Sequence, residues 1–269
     1  MLMLSIDTTA KSASVCVSEL SGGVHLPLFR ANINGTLTHS ETLLPMIDEA
    51  LRLSHKTLAE VDAIAVSTGP GSFTGVRIGV AAAKGLSFAM RNDHVCVPVS
   101  SLEGLANNLR IPMSDDTVIC PVMDARRSQV YNALFVFDGE KMTRLCDDSL
   151  ITAEELFCEL NRDYAGKKII LVGDGAFVAK GVFDKLNDGM DYKYEIAFGG
   201  VLYEDAFSVA CAAIDHINEW QKSDGNLKIG EYNGKALSPT YLRASQAERE
   251  RKEKEAIKNE RNGHYYEDN

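Results

Sequence analysis

The stretch AIAVSTGPGSFTGVRIGVAAAKGLSFAM, Ala63 to Met90, decides the fold. Ala63 to Ser67 is a short apolar run with Val and Ile ahead of glycines, the pattern of a buried strand. Gly69, Pro70, Gly71 and Ser72 predict a tight turn that needs the backbone freedom of glycine. From about Thr74 to Met90 nothing stronger than glycine interrupts, so a helix follows, with Ser72 or Thr74 as its N-cap. That helix leaves only Arg77, Lys84 and Ser87 as polar positions, which predicts burial on both sides. Gly75, Gly79 and Ala83, spaced four apart, form a smooth strip that another backbone can approach. Two readings stay open: a central helix of a large monomer, or a helix whose strip receives a partner helix.

The turn is not a standard phosphate loop. Walker A needs a Lys directly after its last glycine, and Val76 follows Gly75. The GxGxxG pattern fails because Thr74 stands where the third glycine belongs. A helix N-terminus still presents free N–H groups and a positive dipole end, so weak anion binding stays open.

At 269 residues the chain is long enough for two lobes. Apolar content of 45% and charged content of 25% are those of an ordinary globular protein. A formal charge of −10 argues against an autonomous nucleic-acid binder, which would carry a basic face. The six cysteines show no CxxC pair and no zinc spacing, which reads as buried reduced thiols. MLMLSIDTT lacks a basic segment followed by an apolar one, and no run reaches transmembrane length. These features lead us to expect a cytoplasmic chain with no membrane contact.

Working outward, Met1 to Asp7 reads as a strand, Ser14 to Ser18 as a returning strand, and His25 to Ile33 as a third. Asp7, Thr8, Thr9 and Lys11 at the first hairpin face either a phosphate or a metal, or only stabilise the turn. Thr38 and Glu41 form a capping box for a helix striped with Leu43, Leu44, Ile47, Ala50 and Leu51, and Pro45 predicts a kink near its first turn. His39 beside it has no metal-type partner at i+4. Val95 to Val99 is a strand, and Ser100 with Glu103 caps the helix after it.

The same order then recurs. Val118 to Met123 ends in Asp124, as the first strand ends in Asp7. Val130 to Phe137 and Met142 to Cys146 follow as strands. A helix capped by Thr152 and Glu155 spans Ala153 to Asn161, and Ile169 to Val172 is a buried strand. Gly173-Asp174-Gly175 echoes Gly69-Pro70-Gly71 before a helix from Ala176 to Asn187. We read a duplicated lobe of three strands, helix, strand and helix. Residues 1–102 make the N-terminal lobe. Residues 103–243 make the C-terminal lobe, with a long helix over Tyr203 to Lys222 and an extended PTYLR segment that can return to the first lobe. The charged tail, 244–269, is helical or disordered.

IDTTAKSASVCV, THSETLLPMID, GPGSFTGVRIGVAAAKGLS, VPVSSLEGLA, VMDARRSQVY and PTYLR together resemble the bacterial TsaB (YeaZ) family, from about Leu2 to Arg243. The resemblance implies the duplicated actin-like/Hsp70-like ATPase (RNase H-like) α/β fold. It also implies a role in making threonylcarbamoyladenosine at position 37 of ANN-decoding tRNAs. In that family the protein is a non-catalytic subunit, inactive alone, that pairs with and activates the catalytic paralogue TsaD, joined by the ATPase TsaE. The expectation is therefore no catalytic residue and no cofactor required by this chain, with ATP or ADP bound only in the assembled complex and tRNA met only there. The paralogue carries two metal-holding histidines whose positions fall here at Ser101 and Leu105, which cannot grip an ion.

The family further implies that the helices after THSE and GPGSFTG form the partner surface. We expect that surface at Leu43, Ile47, Val76, Gly79, Val80, Ala83 and Ser87, also serving a homodimer when the chain is alone. The family's motif residues are His39, Ser40, Glu41, Gly69, Gly71, Ser72, Phe73, Thr74, Gly75 and Arg77. Arg126 and Arg127 beside Asp124 are the best local basic pair, facing tRNA or a nucleotide phosphate, or paired with nearby acids. The competing reading is a free-standing ATP-dependent phosphotransferase with Asp7, Thr8, Thr9 and Lys11 around phosphate, and Asp124 or Asp174 as its carboxylate. A protease has no triad order, activated cysteine or zinc helix to support it.

Overall fold

Leu2–Asp7 (β1) is buried at every residue because it runs through the middle of a sheet. It pairs antiparallel with β2 (Ser12–Ser21), which pairs with the edge strand β3 (Val24–Asn34). On its other side it pairs parallel with β4 (Ala63–Ser67), itself parallel to β5 (Val95–Val99). Parallel neighbours need crossovers, and α1 (His39–Leu53) and α2 (Phe73–Ala89) supply them. Both helices cover one face of the sheet. Leu43, Met46 and Ile47 of α1 and Val76, Val80 and Ala83 of α2 share a core with Leu4, Ile6, Val15 and Val66. We obtained this arrangement from a computed structural model, which describes residues 1–243 except 36–37, 91–93, 112, 115, 140, 188–193 and 225–232. The charged tail expected over 244–269 lies outside the described residues.

The second sheet repeats the first strand for strand. Its centre is β6 (Thr117–Asp124), flanked by β7 (Gln129–Asn132) and β10 (Ser149–Thr152) on one side and by β11 (Lys168–Val172) and β12 (Tyr194–Ile196) on the other. The order β10-β7-β6-β11-β12 matches β3-β2-β1-β4-β5. The single strand expected over Val130 to Phe137 is broken at Ala133-Leu134. β7 stays paired with β10, while β8 (Phe135–Phe137) turns to pair with β6 and with β9 (Met142–Arg144). The crossover helices are α4 (Ala153–Asp163) and α5 (Ala176–Leu186). This is the duplicated actin-like ATPase arrangement.

Two helices knit the halves together. In α3 (Ser101–Asn107), Leu102 and Leu105 enter the core of the second lobe. The long helix falls three residues later than expected, as α6 (Ala206–Asp224), and packs back on the first sheet through Val209, Ala210 and Ala213 against Met3, Ala65 and Val97. The first sheet is thus buried on both faces, which is why β1, β4 and β5 read as continuous apolar runs.

The three expected caps behave differently. Thr152 and Glu155 make the full reciprocal box. Ser100 Oγ accepts from Glu103 N at 3.4 Å, but the Glu103 carboxylate turns away to His216 at 2.9 Å and Arg144 at 3.7 Å. Thr38 makes no side-chain cap; its backbone carbonyl accepts from Glu41 N at 3.0 Å while its hydroxyl lies 3.2 Å from Ser40 Oγ. Pro45 sits within α1, which continues to Leu53.

Candidate partner surface and interlobe cleft

The GPGSFTG motif is first of all a splice. Ser72 Oγ accepts from Gly75 N at 3.2 Å, which fixes Ser72 rather than Thr74 as the N-cap. Gly69 has φ +116°, and a Cβ there would stand 2.4 Å from Thr240 O. A Cβ on Gly71 would stand 2.4 Å from Thr9 O, where Ser72 N donates at 2.6 Å. At Gly75 it would lie 1.9 Å from Thr8 O, and at Gly79 2.5 Å from Thr8 Oγ1. The smooth strip Gly75–Gly79–Ala83 therefore receives the chain's own β1–β2 turn. The neighbour that sequence spacing left open is Thr8.

This corrects the expected partner surface. Leu43, Ile47, Val76, Gly79, Val80, Ala83 and Ser87 are all buried inside the first lobe. Helix phase alone does not say which side of an all-apolar helix faces the sheet, and the glycine strip suggested the wrong one. The outward side of α2 carries Thr74, Arg77, Ala81, Gly85, Phe88 and Ala89, with Ile78, Ala82 and Leu86 half-buried. Phe88 is 72% exposed, and Leu44 on the neighbouring α1 is 56% exposed. Ala81, Gly85 and Ala89 make a second strip at the same spacing, and nothing lies within 4 Å of a Cβ built on Gly85. Beyond Arg77, the outward side from Ala81 to Ala89 is apolar and exposed. Among the motif residues, Ser40 and Glu41 are exposed on α1, and half-buried His39 bonds Ala10 O through Nε2 at 2.8 Å.

Between the lobes lies a cleft of about 510 Å³. Lys11 from the β1–β2 turn, Ser72 and Phe73 from the start of α2, Asp124, Arg126 and Arg127 from the β6–β7 turn, and Asp174 line it. The segment 237–243 forms its rim. Leu237 is buried in the first core, Thr240 N donates to Thr68 O at 2.7 Å, and Arg243 Nη1 donates to Ala125 O at 2.5 Å in the second lobe. Tyr241 stacks on Phe73 at 4.7 Å between centroids, and its hydroxyl accepts from Arg77 Nε at 2.8 Å. The Arg77 guanidinium lies 3.7 Å from the Phe73 ring centre. The PTYLR segment is thus a strap across both lobes.

The carboxylates expected to carry chemistry are bonded into the scaffold. Asp7 accepts from Thr9 N at 2.8 Å, Thr9 Oγ1 at 2.7 Å and Ser67 Oγ at 2.5 Å. Its burial raises its pKa despite those bonds. Thr8 Oγ1 donates to Gly75 O at 2.7 Å, and of the four hairpin residues expected around phosphate, Thr9 and Lys11 line the cleft while Asp7 and Thr8 do not. Asp174 Oδ1 accepts from Asp124 N at 2.9 Å, and Asp124 Oδ1 accepts from Arg126 N at 2.7 Å. Burial also raises Asp174. Behind the cleft sits a carboxyl that sequence reading missed. Glu204 is 2% exposed, its Oε2 accepts from Ser12 Oγ at 2.7 Å, and its Oε1 has no protein partner among the described residues. Burial and the nearby Asp7 and Asp174 push it up to about 8. Its only signal in the sequence was an acid beside another, Glu204-Asp205, just before an apolar helix. Ser101 and Leu105 are buried, and among the described residues no group of three or more His, Cys, Asp or Glu is placed to hold a metal. No described helix is long and apolar enough to cross a membrane.

A family model, TsaD: tRNA N6-adenosine threonylcarbamoyltransferase, matches residues 35–249. The tRNA threonylcarbamoyladenosine biosynthesis protein TsaB of Buchnera aphidicola subsp. Schizaphis graminum is 30% identical over 183 residues, covering 65% of this chain and 79% of that protein. This chain belongs to the TsaB/YeaZ family. The TsaB protein of Haemophilus influenzae is 36% identical over 129 residues, 48% of this chain, and the match spans about half of that relative, 51%. The YeaZ structure from Pseudomonas aeruginosa superposes with a TM-score of 0.65 at 22% identity, over 90% of this chain and 99% of that one, and shares its fold. The stretches THSE and GPGSFTG thus open α1 and α2, and α2 is the one whose outer side from Ala81 to Ala89 is apolar and exposed.

Proposed function

We propose that this chain is a non-catalytic subunit in tRNA threonylcarbamoyladenosine biosynthesis, the process in the names of its TsaB relatives. It pairs with and activates a catalytic paralogue of the TsaD type, with a TsaE-type ATPase joining the pair. The observation that carries the reading is the outer side of α2. Ala81, Gly85, Phe88 and Ala89 expose an apolar, small-residue strip, and Leu44 is exposed on the neighbouring α1. Small residues let a partner helix approach closely, and the large apolar side chains at the edges supply buried area. The same strip serves a second copy of the chain when the paralogue is absent, since a two-fold pair uses one patch twice.

The phosphotransferase alternative is less well supported, because Asp7, Asp124 and Asp174 spend their acceptor oxygens on backbone and hydroxyl donors of their own turns. Nucleoside analysis of tRNA after depletion of this protein tests the assignment. Threonylcarbamoyladenosine should fall, and an unchanged level would reject the role. Restoring the wild-type chain but not an Ala81→Arg chain would tie the loss to the α2 surface.

A further inference from the structure

An arginine on the outer side of α2 has no acid of this chain to answer it. Arg77 is exposed and continues the line of Ala81, Gly85 and Ala89, which recur at every fourth residue and so share a helix face. Its guanidinium rests 3.7 Å from the centre of the Phe73 ring, and its Nε donates to the Tyr241 hydroxyl at 2.8 Å. Both Nη groups remain: Arg77 makes no ion pair and no other hydrogen bond with any described residue. The ring and the hydroxyl hold the fork in place, so less freedom is lost when a ligand takes it.

The other member of that bond belongs to the strap, which runs antiparallel to α2 along its flank. Gly234 N donates to Ser87 Oγ at 3.2 Å near the C-terminal end of the helix, and Tyr241 stacks on Phe73 at 4.7 Å at its first residue. Between these ends Leu237 is buried in the first core, and Thr240 N donates to Thr68 O at 2.7 Å. Two residues past Tyr241, Arg243 reaches Ala125 O of the second lobe. Arg77 therefore stands on the outer face and also grips the segment that spans the lobes.

We propose that Arg77 receives a carboxylate from the helix that docks on α2, and that docking thereby fastens the strap and the spacing of the lobes. The inference rests on the subunit reading and adds the chemistry of one partner side chain and a consequence for the cleft. A guanidinium takes a carboxylate best through two parallel N–H bonds. With Nε engaged by Tyr241, the two Nη groups supply that pair. A docked helix without an acid there would cover the charge and leave it unanswered, which disfavours that helix. Pairing also holds Arg77 in the rotamer that reaches Tyr241, so the strap loses freedom on docking without itself being touched.

The full-length chain is titrated with the TsaD-type paralogue as wild type, Arg77→Gln and Tyr241→Phe, and amide hydrogen exchange of the strap is followed free and bound. Affinity should fall about tenfold or more in Arg77→Gln, the size of one charge-assisted pair. That deficit should shrink at high salt, as a charge pair requires. Tyr241→Phe keeps the ring and the arginine, so its affinity should stay within about threefold of wild type. In wild type, docking should slow exchange of the Thr240 amide by about tenfold, and in Tyr241→Phe that extra slowing should vanish. Wild-type affinity in Arg77→Gln overturns the proposal, as does a deficit indifferent to salt. Equal slowing in wild type and Tyr241→Phe also overturns it, because the partner would then cover the strap directly, and so does no slowing at all. These results leave the paralogue bound and the subunit reading standing, whereas failure of the wild-type chain to bind it rejects both.

Discussion

Thr8 and Gly75 are locked together from both directions. Thr8 Oγ1 donates to Gly75 O at 2.7 Å, while Thr8 O lies 1.9 Å from where a Gly75 Cβ would stand. The contact joins the β1–β2 turn to the first turn of α2, the junction from which both the cleft wall and the outer helix face take their positions. Gly75→Ala forces backbone against backbone, with no flexible side chain to give way. We expect a loss of about 2–3 kcal/mol or outright misfolding, seen as a melting temperature lower by roughly 5 °C or more. Gly85→Ala, ten residues on in the same helix, meets open space and should gain about 0.5–1 kcal/mol from helix propensity. Equal effects at the two sites would refute the splice.

The outer strip makes a separate prediction. Ala81→Arg and Phe88→Glu change exposed positions, so stability should move by no more than about 0.5 kcal/mol. Affinity for a helical partner should nevertheless fall by about thirtyfold or more, the size of an interface hot spot. Leu43→Ala and Val80→Ala hollow out the first core instead and should lose stability by about 1–5 kcal/mol. Co-purification and thermal melts of the four variants distinguish these classes. Normal pairing by Ala81→Arg and Phe88→Glu would remove α2 from the interface.

Much of the architecture was legible because each signal was local and chemical. The strand–turn–helix at Ala63 to Ala89, the Thr152 box and the doubled lobe all follow from apolar runs, glycines and hydroxyl-acid spacing. What was not legible depended on contacts distant in sequence. Gly79 reads as an open groove until Thr8, on another element, is placed against it. Glu103 fits a capping box, yet His216 and Arg144 draw its carboxylate away. Glu204 shows no periodic signal at all, because its burial arises from the junction of α6 with β2.

Glu204 gives the fold a pH dependence with a definite sign. Its folded pKa is pushed from an ordinary 4.5 to about 8 by burial and then by Asp7 and Asp174. Between about pH 4.5 and 8 the unfolded chain has released a proton that the folded chain keeps, so stability falls as pH rises. The contribution is complete below the unfolded value and gone above about pH 8. Burial shifts Asp7 in the same direction, so part of the slope belongs to it. Glu204→Gln keeps an acceptor for Ser12 without the proton loss. Thermal melts from about pH 5 to 8.5 should show a shallower decline for Glu204→Gln than for wild type, and a higher melting temperature at the alkaline end. Parallel curves would mean that Glu204 ionises freely in the folded state.

The strap provides the last test, because its residues divide between core and surface. Leu237 is 2% exposed and buried among the first lobe's apolar side chains, whereas Tyr241 is 42% exposed over Phe73. Leu237→Ala leaves a cavity where the surrounding sheet and helices cannot collapse, a loss of about 2–5 kcal/mol. Tyr241→Ala removes a ring stack and one bond from Arg77, together about 1–2 kcal/mol at a partly wet site. If the strap holds the lobes at their present separation, Tyr241→Ala should also speed proteolytic cutting near Arg243, whose guanidinium is the strap's bond to Ala125 of the second lobe. Unfolding in urea with limited proteolysis of each variant measures both quantities. Equal stability losses would place Tyr241 in the core rather than over it, and unchanged cutting would free the second lobe from the strap's control.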